Sequence, residues 1–181
     1  MIEVRWHGRG GQGAFTAARL LGAAALWDGQ FALAFPSFGP ERRGAPIQAF
    51  TRIDGRRIAD RSVLRACDFA VVLDDTLMGP HTAEGVRAEG ALLVSSGRPS
   101  TAWAGIGARV IAVDASAIAR AVLGRPIVNT AMMGALVAVS GAVHLDAALR
   151  AIQSEMHAAL AEKNGDVLRR CHDLVKERGC V

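Results

Sequence analysis

Apolar positions along the chain follow two rhythms, and the changes between them predict its elements. Ile2 to Trp6 is a short apolar run that reads as a first β-strand, and Ala14 to Trp27 reads as a helix. Gln30 to Phe35 reads as a second strand and Ile47 to Ile53 as a third. Asp54-Gly55, lying between that strand and Arg56-Arg57-Ile58, is a hairpin signal, so part of the sheet is expected to be antiparallel. Phe69 to Leu73, Ala91 to Ser95 and Arg109 to Val113 are continuous apolar runs, the pattern of central strands buried on both faces. Asp114-Ala115-Ser116 reads as a helix cap, and Gly97 to Gly107, with Trp103 inside it, as a loop. The last third is helical. Asn129-Thr130 is expected to cap a helix from Ala131 to Val143. His144 to Leu160 carries Leu145, Leu149, Ile152 and Met156 at helical spacing, and Asp166 to Val175 repeats the pattern with Leu168 and Leu174.

These signals alternate without a repeat, a linker or a low-complexity tract. They predict a single α/β domain over residues 1–181. Its expected form is a three-layer Rossmann-like sheet, mostly parallel with a hairpin, with helices on both faces and a helical C-terminal third. At 51% hydrophobic and 21% charged residues, the chain can bury the core such a sheet needs. Its net charge of +4 raises the question of nucleic acid. Apart from Arg42-Arg43, Arg56-Arg57 and Arg169-Arg170, however, the basic residues are scattered, with no stacking aromatics between them, so no nucleic-acid partner is expected. There is no tyrosine, so a partner surface would lean on Ala, Leu, Met and Arg. Cys67, Cys171 and Cys180 are far apart and form no C-x-x-C pair. No metal centre, iron–sulfur cluster or disulfide framework is therefore expected from this chain alone. No basic-then-apolar leader opens the sequence, and Ala131 to Val143 is too short to span a bilayer, so a cytoplasmic protein without membrane contact is expected.

The densest chemical signal is Gly8-Arg9-Gly10-Gly11-Gln12-Gly13, set between the first strand and the first helix. It satisfies G-x-G-x-x-G at Gly8, Gly10 and Gly13. Strand, glycine turn and helix together aim backbone N–H groups and the positive end of the helix dipole at an anion, and missing Cβ atoms let it approach. A nicotinamide site would add an acidic residue at the end of the second strand. Here that strand ends in Phe35-Pro36, while Asp28 precedes it. The next segment is Ser37-Phe38-Gly39-Pro40-Glu41-Arg42-Arg43-Gly44, whose guanidinium pair suits a phosphorylated or carboxylated ligand better than a bare ribose.

Catalytic machinery is thin by comparison. His7 ends the first strand beside the glycine turn and reads equally as a ligand contact or as a structural residue. Asp74-Asp75 lies at a strand's C-terminal end, where it could bind a ribose or cap the next turn. Ser37 lacks a nucleophile elbow, Cys67 reads as a small buried residue, and Met132 and Met133 read as core or interface filler. His81, His144, His157 and His172 show no ligand spacing and read as surface residues. A phosphate cradle, a basic loop and an aspartate pair without a catalytic set suggest one subunit of a larger machine.

The chain resembles the gamma subunit of the 2-oxoacid:ferredoxin (or acceptor) oxidoreductases, the pyruvate:ferredoxin oxidoreductase superfamily. The resemblance rests on Gly8 to Gly13, Pro36 to Gly44, Leu73-Asp74-Asp75 and Asn129-Thr130-Ala131-Met132-Met133-Gly134-Ala135-Leu136, with Glu162-Lys163-Asn164 near the C-terminus. It implies coenzyme A-dependent oxidative decarboxylation of a 2-oxoacid to an acyl-CoA and carbon dioxide. Pyruvate is the default substrate; phenylglyoxylate, indolepyruvate and 2-oxoglutarate are alternatives. It further implies that no cofactor is held by this chain alone. Thiamine diphosphate, Mg2+ and iron–sulfur clusters would sit in partner subunits, namely thiamine-binding alpha and beta subunits and an iron–sulfur delta-type subunit. Ferredoxin, or a flavin/NAD-linked subunit, would accept the electrons. Carried onto this sequence, the resemblance places Gly8, Arg9, Gly10, Gly11, Gln12, Gly13, Arg42 and Arg43 on coenzyme A. Ser37, Glu41, Gly44, Asp74 and Asn129 would line the active-site wall or subunit interface. A non-catalytic scaffold subunit and a free-standing dinucleotide-binding protein are the competing readings.

Overall fold

A computed structural model describes residues 1–37 and 44–179. Its strands are β1 (Ile2–Arg9), β2 (Phe31–Pro36), β3 (Pro46–Asp54), β4 (Cys67–Val72), β5 (Val86–Ser95) and β6 (Val110–Val113). Its α-helices are α1 (Ala14–Trp27), α2 (Pro80–Ala83), α3 (Ala115–Leu123), α4 (Asn129–Ser140), α5 (Leu145–Glu155) and α6 (Ala158–Glu177). The strands form one sheet in the order β2-β3-β1-β4-β5-β6. β1, β4, β5 and β6 are successive parallel neighbours, whereas β3 lies between β2 and β1 and runs antiparallel to both.

Strand periodicity divides the core. Val4, Trp6, Ala49, Ile53, Val71, Leu93 and Ile111 belong to a cluster with α1 and α3 to α6. Phe50, Cys67, Ala70, Val72, Leu92 and Val94 form a second cluster, closed by α2, by single 3-10 turns at Asp75–Leu77 and Ser100–Trp103, and by loops. Helical turns thus cover both faces as expected, but with the five longer helices all in the first layer. α4 is buried from Asn129 through Ala138, which explains its uniformly apolar sequence. It meets α6 so closely that a Cβ on Gly134 would stand 2.2 Å from the Leu168 carbonyl oxygen.

Several sequence expectations shift. β1 runs on through His7, Gly8 and Arg9, so Gly8 is a strand residue paired with Ile47 rather than part of the turn. The antiparallel hairpin joins β2 to β3, and no strand forms after Asp54-Gly55 at Arg56 to Ile58. The reason is that β2 and β1 occupy both edges of β3, leaving none for a returning strand. Asn129 and Thr130 are the first residues of α4, not its cap; Val128 holds the cap position without a side-chain bond. The run from His144 to Leu160 breaks at Met156-His157, both in extended conformation, so that α5 ends there and α6 begins. Asp114 does cap α3, accepting from the Ala117 amide at 2.9 Å.

Candidate functional site

The C-terminal ends of β1, β4 and β5 open into a crevice beside the first turn of α1, the place where open α/β sheets put ligands. After Arg9 the chain turns through Gly10 to Gly13. The Gly10 N–H donates to the Ala45 carbonyl (2.9 Å), the Gly44 N–H to the Gly10 carbonyl (3.1 Å) and the Gln12 N–H to the Arg9 carbonyl (2.9 Å). Gly13 caps α1 in the left-handed region at φ 81°, and a Cβ there would lie 2.6 Å from Asn129 Nδ2. The left-handed conformation favours glycine at this point, and the Asn129 side chain packs directly over it. The first turn of α1 contains no acidic residue, so the helix's N-terminal partial charge is not offset from within. Its leading amides lack intrahelical acceptors by geometry, which makes them donors for an anion.

Asp74 frames this turn from the end of β4. Its Oδ2 accepts from Gln12 Nε2 (2.9 Å) and Arg9 Nε (3.1 Å), and its Oδ1 from the Thr76 amide (3.0 Å) and hydroxyl (2.6 Å). Burial alone would raise its pKa; the bonds from Thr76, Gln12 and Arg9 outweigh that and hold the carboxyl below its usual range. Arg9 also reaches the Gly44 carbonyl (3.2 Å) and the Thr76 hydroxyl (2.8 Å), and Gln12 Oε1 accepts from the Arg9 amide (2.7 Å). Arg9, Gln12, Gly44 and Asp74 are therefore brought together as a brace around the turn, with the two side-chain donors engaged inside it. Glu41, Arg42 and Arg43 lie outside the described residues, and Gly44, next in the chain, is fixed against Gly10.

The crevice holds a cavity of about 340 Å³ lined by Gly11, Gln12, Asp74, Asp75, Ser95, Ser116 and Pro126 to Val128, among others. Asp75 is anchored by the Ser96 hydroxyl at 2.6 Å. Ser37 stands apart, on a smaller cavity of about 230 Å³ shared with His7, Gln48 and His81, where its Oγ accepts from the Gln48 amide (3.3 Å). His7 Nε2 accepts from Arg5 Nε at 3.0 Å, and burial, helped by Arg5 and His81, lowers its pKa to about 3. It is therefore a neutral ring whose proton sits on Nδ1. Asn129 packs on Gly13 and is 7% exposed; its Oδ1 is buried with no hydrogen-bond partner among the described residues. Sequence reasoning misses Thr76 and the Pro126–Val128 wall. Thr76 stands close enough behind the Asp74-Asp75 pair to suggest a cap, while the wall carries no local signal.

Among the described residues no three His, Cys, Asp or Glu side chains gather as metal ligands. Cys67 and Cys171 are buried in different core clusters, and burial raises both thiol pKa values, that of Cys171 to about 12, so neither is suited to ligate a cluster. No helix among the described residues is long and apolar enough to cross a membrane.

Comparison with known proteins finds relatives that match nearly the whole chain. The family profile described as pyruvate ferredoxin/flavodoxin oxidoreductase matches residues 3–174. The chain is 46% identical over 165 residues to the pyruvate synthase subunit PorC of Methanocaldococcus jannaschii, covering 91% of each. Among solved structures it is similar to the pyruvate oxidoreductase subunit PORC of Thermotoga maritima, with a TM-score of 0.84, 39% identity and 95% of each chain covered. A 2-oxoglutarate:ferredoxin oxidoreductase of Magnetococcus marinus, solved with 2-oxoglutarate, coenzyme A and succinyl-CoA, shares the fold. Its TM-score is 0.76 at 16% identity, over 97% of this chain and 31% of that one.

Proposed function

The chain belongs to the pyruvate ferredoxin/flavodoxin oxidoreductase family, and from that premise we propose that, as its gamma-type subunit, it helps bind coenzyme A and closes the active site of the complex. The reaction takes a 2-oxoacid and the thiol of coenzyme A to an acyl-CoA, carbon dioxide, a proton and two electrons. Pyruvate is favoured over phenylglyoxylate or indolepyruvate because it stands in the names of the relatives at 40–46% identity. Thiamine diphosphate, Mg2+ and iron–sulfur clusters belong to partner subunits in this reading, consistent with two described cysteines unsuited to metal. Those partners are alpha and beta subunits and a delta-type subunit, ferredoxin accepts the electrons, and the assembly works in the cytoplasm.

The observation that carries this reading is the mouth of α1: a helix N-terminus with no acidic residue in its own first turn, behind a glycine turn that Asp74, Arg9 and Gln12 brace. A coenzyme A diphosphate at the leading amides of α1 would gain charge-assisted hydrogen bonds at no reorganisation cost. Ser37, Glu41 and Gly44 would then flank the approach to the partner subunit, with Arg42 and Arg43 as further phosphate contacts. A scaffold role, in which the turn merely joins strand to helix, draws on the internal engagement of Arg9 and Gln12.

Gly11 separates the two. Its φ of 95° strains any side chain, but nothing lies within 4 Å of a Cβ there. Gly11→Asn and Gly11→Asp share the backbone cost, and only the second adds a negative charge. In the assembled complex, the half-saturating coenzyme A concentration of the Asp variant should exceed that of the Asn variant by roughly tenfold or more. Equal values in the two variants would favour the scaffold.

A further inference from the structure

The two edges of the sheet are finished differently. β6, at one end of the strand order, is four residues long, and its outward Ala112 amide donates to the Ser100 hydroxyl at 3.0 Å. The chain thus covers that edge from its own turn. β2, at the other end, has no such cover among the described residues. The Ser37 amide donates to the Gln48 carbonyl at 2.9 Å, which sets the alternation along the β2–β3 hairpin. Phe31, Leu33 and Phe35 bond inward to β3, so the N–H and C=O groups of Ala32 and Ala34 point away from the sheet. β2 also lacks the usual guards of an edge: Phe31 to Pro36 holds no charge, and its register with β3 has no bulge. Phe31 is 46% exposed. Leu26, 61% exposed, stands one turn on from Gly22, which lies over Ala32 and Ala34.

The bare edge reads the same in both directions, Phe-Ala-Leu-Ala-Phe from Phe31 to Phe35. An antiparallel partner strand is read backwards, so this segment is complementary to itself. We propose that β2 pairs with β2 of a second copy of this chain, about a two-fold axis at Leu33, joining the two six-stranded sheets edge to edge. Ala32 of each copy faces Ala34 of the other, and each such pair exchanges both N–H···O=C bonds through the outward groups. Leu33 meets Leu33 and Phe31 meets Phe35 in the non-hydrogen-bonded positions, where side chains approach most closely. The pairing ends where the free backbone ends. Pro36 has no N–H, and the Gln30 N–H is already given to the Ala25 carbonyl at 2.9 Å. A two-fold axis sets like charges near one another wherever a strand is charged, and this strand carries none. With Phe31 and Leu26 covered, the contact buries on the order of 1,000 Å² in total, the lower bound for a specific interface, so micromolar affinity is expected. Nothing in this pairing depends on which ligand the crevice takes.

Sedimentation equilibrium of the full chain at about 100 µM tests the pairing. The parent should show twice the 19.0 kDa of one chain. Leu33→Lys sets like charges face to face and should weaken the dimer roughly tenfold or more, with circular dichroism checking that the variant folds. Cysteine cross-linking in the assembled complex fixes the register, in a Cys180→Ser chain whose other native cysteines, Cys67 and Cys171, are buried. Leu33→Cys stands opposite itself within disulfide reach, whereas Phe31→Cys stands opposite Phe35 and away from its own copy. Copper phenanthroline should therefore join two copies of the first variant and not of the second. A monomeric parent, an affinity unchanged by Leu33→Lys, or equal cross-linking of the two cysteine variants overturns the proposal. A cross-link from Leu33→Cys to a different subunit, or none at all, does so too.

Discussion

At the scale of single residues, His7 shows how neighbours decide what a side chain is. A guanidinium can only donate hydrogen bonds, so Arg5 makes His7 Nε2 an acceptor, and burial, helped by the Arg5 and His81 charges, keeps the ring neutral. Arg5 in turn donates to the carbonyls of Thr82 and Glu84, tying β1 to α2. Because the folded pKa of about 3 lies below the ordinary 6.5, the unfolded chain binds a proton that the folded chain refuses. Stability supplied by neutral His7 is therefore intact above pH 6.5 and falls as pH drops toward 3, with a slope approaching about 1.4 kcal/mol per pH unit. Urea unfolding from about pH 6.5, the ordinary histidine value, down to about pH 4.5 should show that slope in the parent chain and lose it in His7→Gln. An unchanged slope would contradict the assignment. Asp74 acts in a lower window. Its depressed pKa adds stability above the ordinary carboxylate range and loses it as pH falls through the folded value, so its effect does not overlap the first part of the histidine titration.

At the scale of elements, legibility tracks how local each cause is. α1 begins and ends where the sequence says, because Gly13 in the left-handed region and the Asp28-Gly29 stop are written at its own termini. The hairpin falls elsewhere because Asp54-Gly55 is a sound local turn signal, while pairing depends on which strands already flank β3. The break between α5 and α6 falls earlier than the sequence suggests, at Met156-His157 rather than after Leu160, because Met156 sits at the same apolar spacing as Leu149 and Ile152. Asn129 and Thr130 resemble caps but serve tertiary contacts: Asn129 rests on Gly13, and the Thr130 hydroxyl donates to Asn164 Oδ1 at 2.8 Å. At the candidate site the glycine turn is legible, whereas Pro126, Ile127 and Val128 carry no motif and reach the crevice only through the fold. The α4–α6 contact itself makes a sharp prediction. Since a Cβ on Gly134 would meet the Leu168 carbonyl at 2.2 Å, and backbone cannot swing aside, Gly134→Ala should destabilise the chain by about 1–3 kcal/mol. Thermal unfolding would register this as a lowered midpoint, and an unaltered midpoint would mean the two helices are less tightly apposed.

Over the whole molecule, the sheet keeps a buried ion network and the candidate site at opposite ends of its strands. The site lies at the C-terminal ends of β1, β4 and β5, while the opposite ends carry a buried ion network. Glu3 accepts from Arg52 Nε at 3.0 Å and from Arg87 Nη2 at 2.6 Å, and Arg87 Nη1 reaches Asp68 at 2.8 Å, so four strands are joined across one edge of the sheet. The Arg52 side chain is 3% exposed and also donates to the Asp60 carbonyl at 2.6 Å. Breaking a buried pair from one side leaves a charge uncompensated and costs about 3–5 kcal/mol. Arg52→Met keeps much of the side chain's volume and removes the charge together with its hydrogen bonds to Glu3 and the Asp60 carbonyl, so it should lower the unfolding free energy by that order. Arg87 still faces Glu3, which places the loss toward the lower end of the range. The network shares no residue with the lining of the crevice. On the coenzyme A reading proposed above, affinity for that ligand per folded complex should therefore stay within about twofold of the parent, a difference of about 0.4 kcal/mol. Denaturant unfolding of the chain and calorimetric titration of the assembled complex would measure the two quantities side by side. A variant that loses affinity while keeping its stability would show the two ends of the sheet to be coupled, contrary to the division drawn from the strand topology.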